Sequence, residues 1–132
     1  MDLEGKVRRV TTRERGLAAE DRALQHLQAQ GLRMVARNFK TPGRGGGEID
    51  LIMRERDGTL VFVEVRLRSR SDRGGAGASI TATKRRRIVL AARHFLLHCR
   101  SMPPCRFDAV LIDGPEGELQ WLRAAFDAGD AG

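Results

Sequence analysis

Glu64 interrupts an apolar, β-prone run, Leu60-Val61-Phe62-Val63-Glu64-Val65, and Arg66 follows two positions after it. A carboxylate buried without a partner costs several kcal/mol, so this run demands a compensating group. Upstream, Gly47-Glu48-Ile49-Asp50-Leu51-Ile52-Met53 also sets acids among aliphatic residues and reads as a second strand. The segment between them, Glu55-Arg56-Asp57-Gly58, carries an Asp-Gly turn signal, which predicts a β-hairpin. A three-residue loop of Arg56, Asp57 and Gly58, with Gly58 at positive φ, sets Asp50 opposite Glu64 and Glu48 opposite Arg66. All four side chains then share one face, with opposed Cβ atoms roughly 4.5–5.5 Å apart, a spacing at which two carboxylates can share one cation. A two-residue Asp57-Gly58 loop would shift the register by one and turn Asp50 away from Glu64. The alternative for Glu64 is a buried ion pair with an arginine and no metal.

The elements that must position this hairpin follow from the flanking patterns. Thr11 with Glu14 is a capping-box signal, and Leu17, Ala23, Leu24 and Leu27 form a helical stripe ended by Gly31, giving a helix over about 12–30. Leu32 to Asn38 reads as a short strand and Thr41-Pro42-Gly43-Arg44-Gly45-Gly46-Gly47 as a basic loop without the G-K-[ST] ending of a P-loop. After the hairpin, residues 68–77 are too rich in Arg and Gly for a core element. A second helix starts at Thr81, carries Lys84-Arg85-Arg86-Arg87 in its opening turns and runs on to Pro103-Pro104. Phe107–Ile112 and Leu119–Leu122 read as strands, and the residues from Ala124 as a frayed tail. The order α, β, β-hairpin, α, β, β describes a single α/β domain over 1–123, a mixed β-sheet flanked by helices.

Net charge narrows the partners. The 132 residues carry +7, and of 24 basic side chains only Lys6, Lys40 and Lys84 are lysines. An anionic partner is implied, nucleic acid ahead of a membrane surface, and guanidinium forks match phosphate oxygens bidentately. Aromatic residues make up 5%, with no tyrosine, which favours phosphate contact over base stacking. The candidate phosphate contacts are Arg44, Arg68, Arg70, Lys84, Arg85, Arg86 and Arg87; a plain solvated face is the competing reading. No apolar run approaches the roughly 18 residues of a membrane span, and the first residues have no signal-peptide pattern, so a cytoplasmic protein is expected. Cys99 and Cys105 are then expected as reduced thiols. His94 and His98, four apart on a helix, could share a transition metal with them, the competing reading being a helix that ends in polar residues.

The pattern Asp50-x13-Glu64-x-Arg66 resembles the PD-(D/E)XK nuclease superfamily. More closely, Ala19-Glu20, Asn38, Gly47-Glu48-Ile49-Asp50-Leu51-Ile52, Val61-Phe62-Val63-Glu64-Val65-Arg66, Lys84 and Arg106-Phe107-Asp108 resemble the bacterial YraN-like family, over about residues 16–113. The resemblance implies a restriction-endonuclease-like core related to Holliday-junction resolvases, and a metal-dependent endonuclease acting on DNA, with branched DNA as one substrate class. It implies Asp50 and Glu64 as ligands of Mg²⁺ or Mn²⁺, the Val65 carbonyl as a further ligand, Glu20 as an added helical acid, and a homodimer by analogy. Arg66 stands where the superfamily usually has lysine; it cannot act as a general base, although it can hold a phosphate oxygen. Lys84 is the candidate replacement amine, and Glu48 is a neighbour that could instead lock Arg66. Asp108 is expected as a structural partner of Arg106 or a cap. Two rivals remain, a non-catalytic nucleic-acid-binding protein on the same fold and a protein-interaction module.

Overall fold

Thr11 caps the first helix as its spacing to Glu14 predicts: its hydroxyl accepts from the Glu14 N–H at 3.1 Å, and the Glu14 carboxylate accepts from the Thr11 N–H at 3.0 Å. This reciprocal pairing satisfies two of the four donors a helix start leaves open. The computed structural model describes residues 9–43, 45–68, 80–114 and 116–131. In it α1 spans Thr12–Ala29, and Gly31, at φ +99, takes the chain out of it. Ala19, Ala23 and Leu27, four residues apart, are the buried stripe of α1.

Five strands follow in chain order: β1 (Arg33–Lys40), β2 (Glu48–Arg54), β3 (Leu60–Arg68), β4 (Cys105–Asp113) and β5 (Leu119–Phe126), with α2 (Ala82–Leu96) between β3 and β4. Their order across the sheet is the order in the chain. All neighbours are antiparallel except β3 and β4, which are parallel. A parallel pair cannot be closed by a tight turn, and α2 lies in the crossover between them. The expected α/β class and mixed sheet flanked by helices are both present, an arrangement consistent with a restriction-endonuclease-like core.

The hairpin adopts the three-residue loop. Glu55 N–H donates to the Thr59 carbonyl at 2.9 Å, Gly58 sits at φ +94, and Leu51 pairs with Val63, Ile52 with Phe62 and Met53 with Val61. Asp57 closes the loop by accepting from the Thr59 N–H at 2.9 Å.

The sheet separates two cores. On one face α1 packs Ala19, Ala23 and Leu27 onto Leu51, Met53, Val61, Val63, Val110 and Ile112. On the other α2 packs Ile88, Val89, Ala91 and Ala92 onto Ile49, Ile52, Leu60, Phe62, Phe107 and Leu111. A Cβ at Gly47 would lie 2.1 Å from the Arg87 carbonyl oxygen, so a side chain there would lift the start of β2 off α2.

Two boundaries differ from the sequence reading. The chain from Ala124, expected to fray, continues β5 to Phe126 and then forms a 3₁₀ turn over Ala128–Ala131. Phe126 is buried, stacked on Phe107 with ring centroids 4.9 Å apart, and this non-local contact orders the segment. The second helix ends at Leu96 rather than at Pro103-Pro104. Beyond it Leu97 faces solvent, and the N–H groups of Leu97, His98 and Cys99 bond three residues back, the tightening that ends a helix when its apolar stripe runs out. β1 begins and ends slightly later than expected. Among the described residues no helix is long and apolar enough to cross a membrane.

Candidate active site

Glu64 and Asp108 are the buried charged residues of the described chain, and the site forms around the first. Carrying the β2–β3 register one step beyond Leu51 and Val63 sets Asp50 opposite Glu64, the arrangement the three-residue loop predicts. The strands do not continue a regular ladder there: the Asp50 carboxylate accepts the Val65 N–H at 2.8 Å. Thus a side chain takes the place of a backbone carbonyl, and the two acids are held side by side where β2 and β3 part.

Burial pushes the Glu64 carboxyl up to about 8, and the adjacent Asp50, by its charge and by a hydrogen bond, pushes the same way; the Lys84 ammonium opposes them. Lys84 Nζ lies 3.5 Å from Glu64 Oε2. The amine arrives from α2, whose start is fixed by Thr81 accepting from the Lys84 N–H at 3.1 Å. Two carboxylates beside one half-exposed ammonium are a like-charge pair, an arrangement in which one acid holds its proton more tightly.

Glu20 approaches from α1. It is also raised, first by burial and then by the charge of Asp50, while hydrogen bonds from Asn38 and Arg37 lower it. Arg37 Nε lies 3.3 Å from Glu20, its Nη1 2.6 Å from Asp21, and its Nη2 donates to the Leu17 carbonyl at 3.1 Å. Sequence reasoning did not single out Arg37. An Arg-Asn pair in an otherwise apolar-patterned strand was the available signal.

Among the described residues there is no group of three or more His, Cys, Asp or Glu side chains gathered as metal ligands. Asp50 and Glu64 nevertheless suit Mg²⁺ or Mn²⁺: they offer hard oxygen donors, and such ions are commonly held by one or two carboxylates with water and substrate phosphate completing the shell. His94 and His98 stack edge to face at 5.9 Å, and Cys99 and Cys105 are free thiols.

The remaining candidates are distributed as follows. Arg66 is half-buried on β3, two residues beyond Glu64. Glu48 pairs with Lys40 at 3.9 Å. Arg68 Nε is 2.9 Å from Asp113, both side chains largely buried, so this cation is engaged inside the fold. Arg85 donates to the Ile80 carbonyl and lies over the Phe126 ring. Arg86 and Arg87 are exposed, bonded to Thr83 and to the Gly46 carbonyl. Arg44 and Arg70 lie outside the described residues. Arg87 also lines a pocket of about 210 Å³ with Lys40, Thr41, Glu48 and glycines of the 41–47 loop. Asp108 has the structural role expected of it, accepting from Arg106, from Trp121 Nε1 and from the Ala124 N–H.

A sequence model described as uncharacterised protein family UPF0102 matches residues 19–112. The chain is 70% identical over 125 residues to a UPF0102 protein of Paracidovorax citrulli (strain AAC00-1), covering 95% of this chain and 91% of that protein. It is 69% identical over 118 residues to one of Acidovorax sp. (strain JS42), covering 89% and 88%. A UPF0102 protein of Verminephrobacter eiseniae (strain EF01-2) is 64% identical over 118 residues, covering 89% and 81%.

Proposed function

The chain belongs to the uncharacterised protein family UPF0102, as its YraN-like strings predict, and we propose that it is a metal-dependent phosphodiesterase acting on DNA, centred on Asp50, Glu64 and Lys84. The observation that carries this reading is the juxtaposition of Asp50 with the buried Glu64 beneath the Lys84 amine. A like-charge carboxylate pair costs stability unless a cation or proton joins it, and titratable groups displaced this way cluster at functional sites.

Asp50 and Glu64 would hold Mg²⁺ or Mn²⁺, with Glu20 and the Val65 carbonyl as further donors. When bound, the ion supplies an acidified water and neutralises charge on the reacting phosphoryl group. Asp50 is oriented for this by the Val65 N–H, which fixes one carboxylate oxygen. Lys84 takes the part that Arg66 cannot: an amine beside Glu64 can accept or release a proton and hold a phosphate oxygen, whereas a guanidinium stays protonated. Arg66 on the same strand retains the second of those tasks. Arg86 and Arg87, exposed at the start of α2, meet flanking phosphates, while Arg68 and Arg85 serve the fold. The overall charge of +7 draws the polyanion in.

Cleavage of labelled branched and linear DNA with Mn²⁺, by wild type, Asp50→Ala and Glu64→Ala proteins, tests this. The expected result is cleavage by wild type and a loss of about 10³-fold or more in each variant, the scale of removing a major electrostatic contribution. Salt-sensitive binding in all three proteins without cleavage of any substrate would favour a non-catalytic DNA-binding protein.

A further inference from the structure

Asn38 is in a left-handed conformation, φ +53, in the middle of β1. Strands do not ordinarily contain such residues, and Asn is among the few side chains that tolerate the conformation. Its effect is visible on either side. Ala36 packs on the α2 face of the sheet and Arg37 reaches α1; strict alternation would then send position 38 to α2 and Phe39 to α1. Instead Phe39 packs on Phe95 of α2 with centroids 5.4 Å apart, which leaves Asn38 on the α1 side, where its amide lowers the Glu20 carboxyl. The left-handed residue thus gives two successive side chains, Arg37 and Asn38, to the same acid.

The strand beside it departs from alternation at the matching place. Arg37 pairs with Leu51 and Phe39 with Ile49, so Asn38 lies across from Asp50. Ile49 belongs to the α2 core and Leu51 to the α1 core, although two residues apart they should share a face. Asn38, Asp50 and Glu64 therefore form one row across three strands, and the first two members of that row are where the sheet changes face.

We infer that Asn38 is the positioning residue of this site: its left-handed backbone turns β1 so that its amide, with Arg37, holds Glu20 toward Asp50. This rests on the metal-site reading above and adds to it the device that brings the helical acid in. A purely conformational role would be fulfilled equally well by glycine, which adopts φ +53 without strain.

The test is Mn²⁺ titration calorimetry on wild type, Asn38→Gly and Glu20→Gln, with thermal melts in the absence of metal. Asn38→Gly is expected to melt within a few degrees of wild type yet bind Mn²⁺ about 10-fold more weakly, the lower end of what loss of an outer hydrogen-bond partner costs a metal site. Wild-type affinity in Asn38→Gly would overturn the inference. A second readout is independent of metal: the side-chain amide resonances of Asn38 in an NMR spectrum should move on Glu20→Gln, and unmoved resonances would equally overturn it. Failure of wild type to bind Mn²⁺, with those resonances moving, would reject the metal reading and leave the Asn38–Glu20 link standing.

Discussion

The two buried acids, Glu64 and Asp108, lie on adjacent parallel strands, yet their surroundings are opposite in kind. Asp108 is fully buried and receives Arg106 at 3.0 Å, the Trp121 indole N–H at 2.9 Å and the Ala124 N–H at 2.9 Å. Arg106 is tied in turn to Glu55. Glu64 is slightly less buried and faces a second carboxylate, with the Lys84 ammonium at 3.5 Å. Burial therefore does not distinguish a site from a strut. What distinguishes them is the charge each meets: around Asp108 the fold supplies a guanidinium and two N–H donors, joining β5 to β4 where the ladder shifts between Phe107 and Ala109; around Glu64 it sets a second carboxylate beside one ammonium, the pair we propose a cation completes.

The sharpest way to break this comparison is at the strut. Asp108→Ala should cost about 3–5 kcal/mol in urea unfolding, because Arg106 Nε, the Trp121 indole N–H and the Ala124 N–H all lose the acceptor they share, although Glu55 still meets Arg106. A loss below about 1 kcal/mol would mean that β5 is held by Phe126 alone.

The second prediction concerns pH. A carboxyl raised in the folded state binds its proton more tightly there than in the unfolded chain, so stability falls as pH rises from the ordinary glutamate range near 4.5 to the folded value of about 8. Metal-free wild type should lose a few kcal/mol over that window and little beyond it. Glu64→Gln should flatten the profile and exceed wild type in stability at pH 8. Parallel profiles for the two proteins would show that Glu64 is compensated within the fold after all.

A smaller effect is expected at Lys84. Its side chain is 41% exposed, so solvent screens its attraction to Glu64, and Lys84→Met should cost about 1 kcal/mol or less at pH 8. The same substitution should shift the stability drop to higher pH, because the charge that favours ionised Glu64 is gone. A drop unmoved along the pH axis would separate Lys84 from the acid pair.

Local chemistry explains which parts of this architecture could be read from the residues. The capping box at Thr11 and Glu14, and the hairpin register set by Asp57-Gly58, depend on groups a few positions apart, and both formed as the spacing requires. From that register the pairing of Asp50 with Glu64 follows. The extension of β5 does not follow from Leu122-Arg123-Ala124-Ala125, because what holds Ala124 at φ +49 is the carboxylate of Asp108, sixteen residues away. The end of α2 is not legible from Pro103-Pro104, a late stop, because loss of the buried stripe after Leu96 ends the helix earlier. Whether Lys84, the candidate replacement amine for Arg66, reaches the acids depends on the packing of α2, which brings its Nζ to Glu64. The change of face at Asn38 carries no periodic signature, since a single left-handed residue shifts the pattern without announcing itself in composition.

The most direct measurement of the central claim is Mn²⁺ titration calorimetry on wild type, Glu64→Gln and Asp108→Asn at pH 8. The account predicts binding by wild type and by Asp108→Asn, and its loss in Glu64→Gln. Binding that survives Glu64→Gln, or is absent from well-folded wild type, would contradict the assignment of the Asp50–Glu64 pair as a cation site.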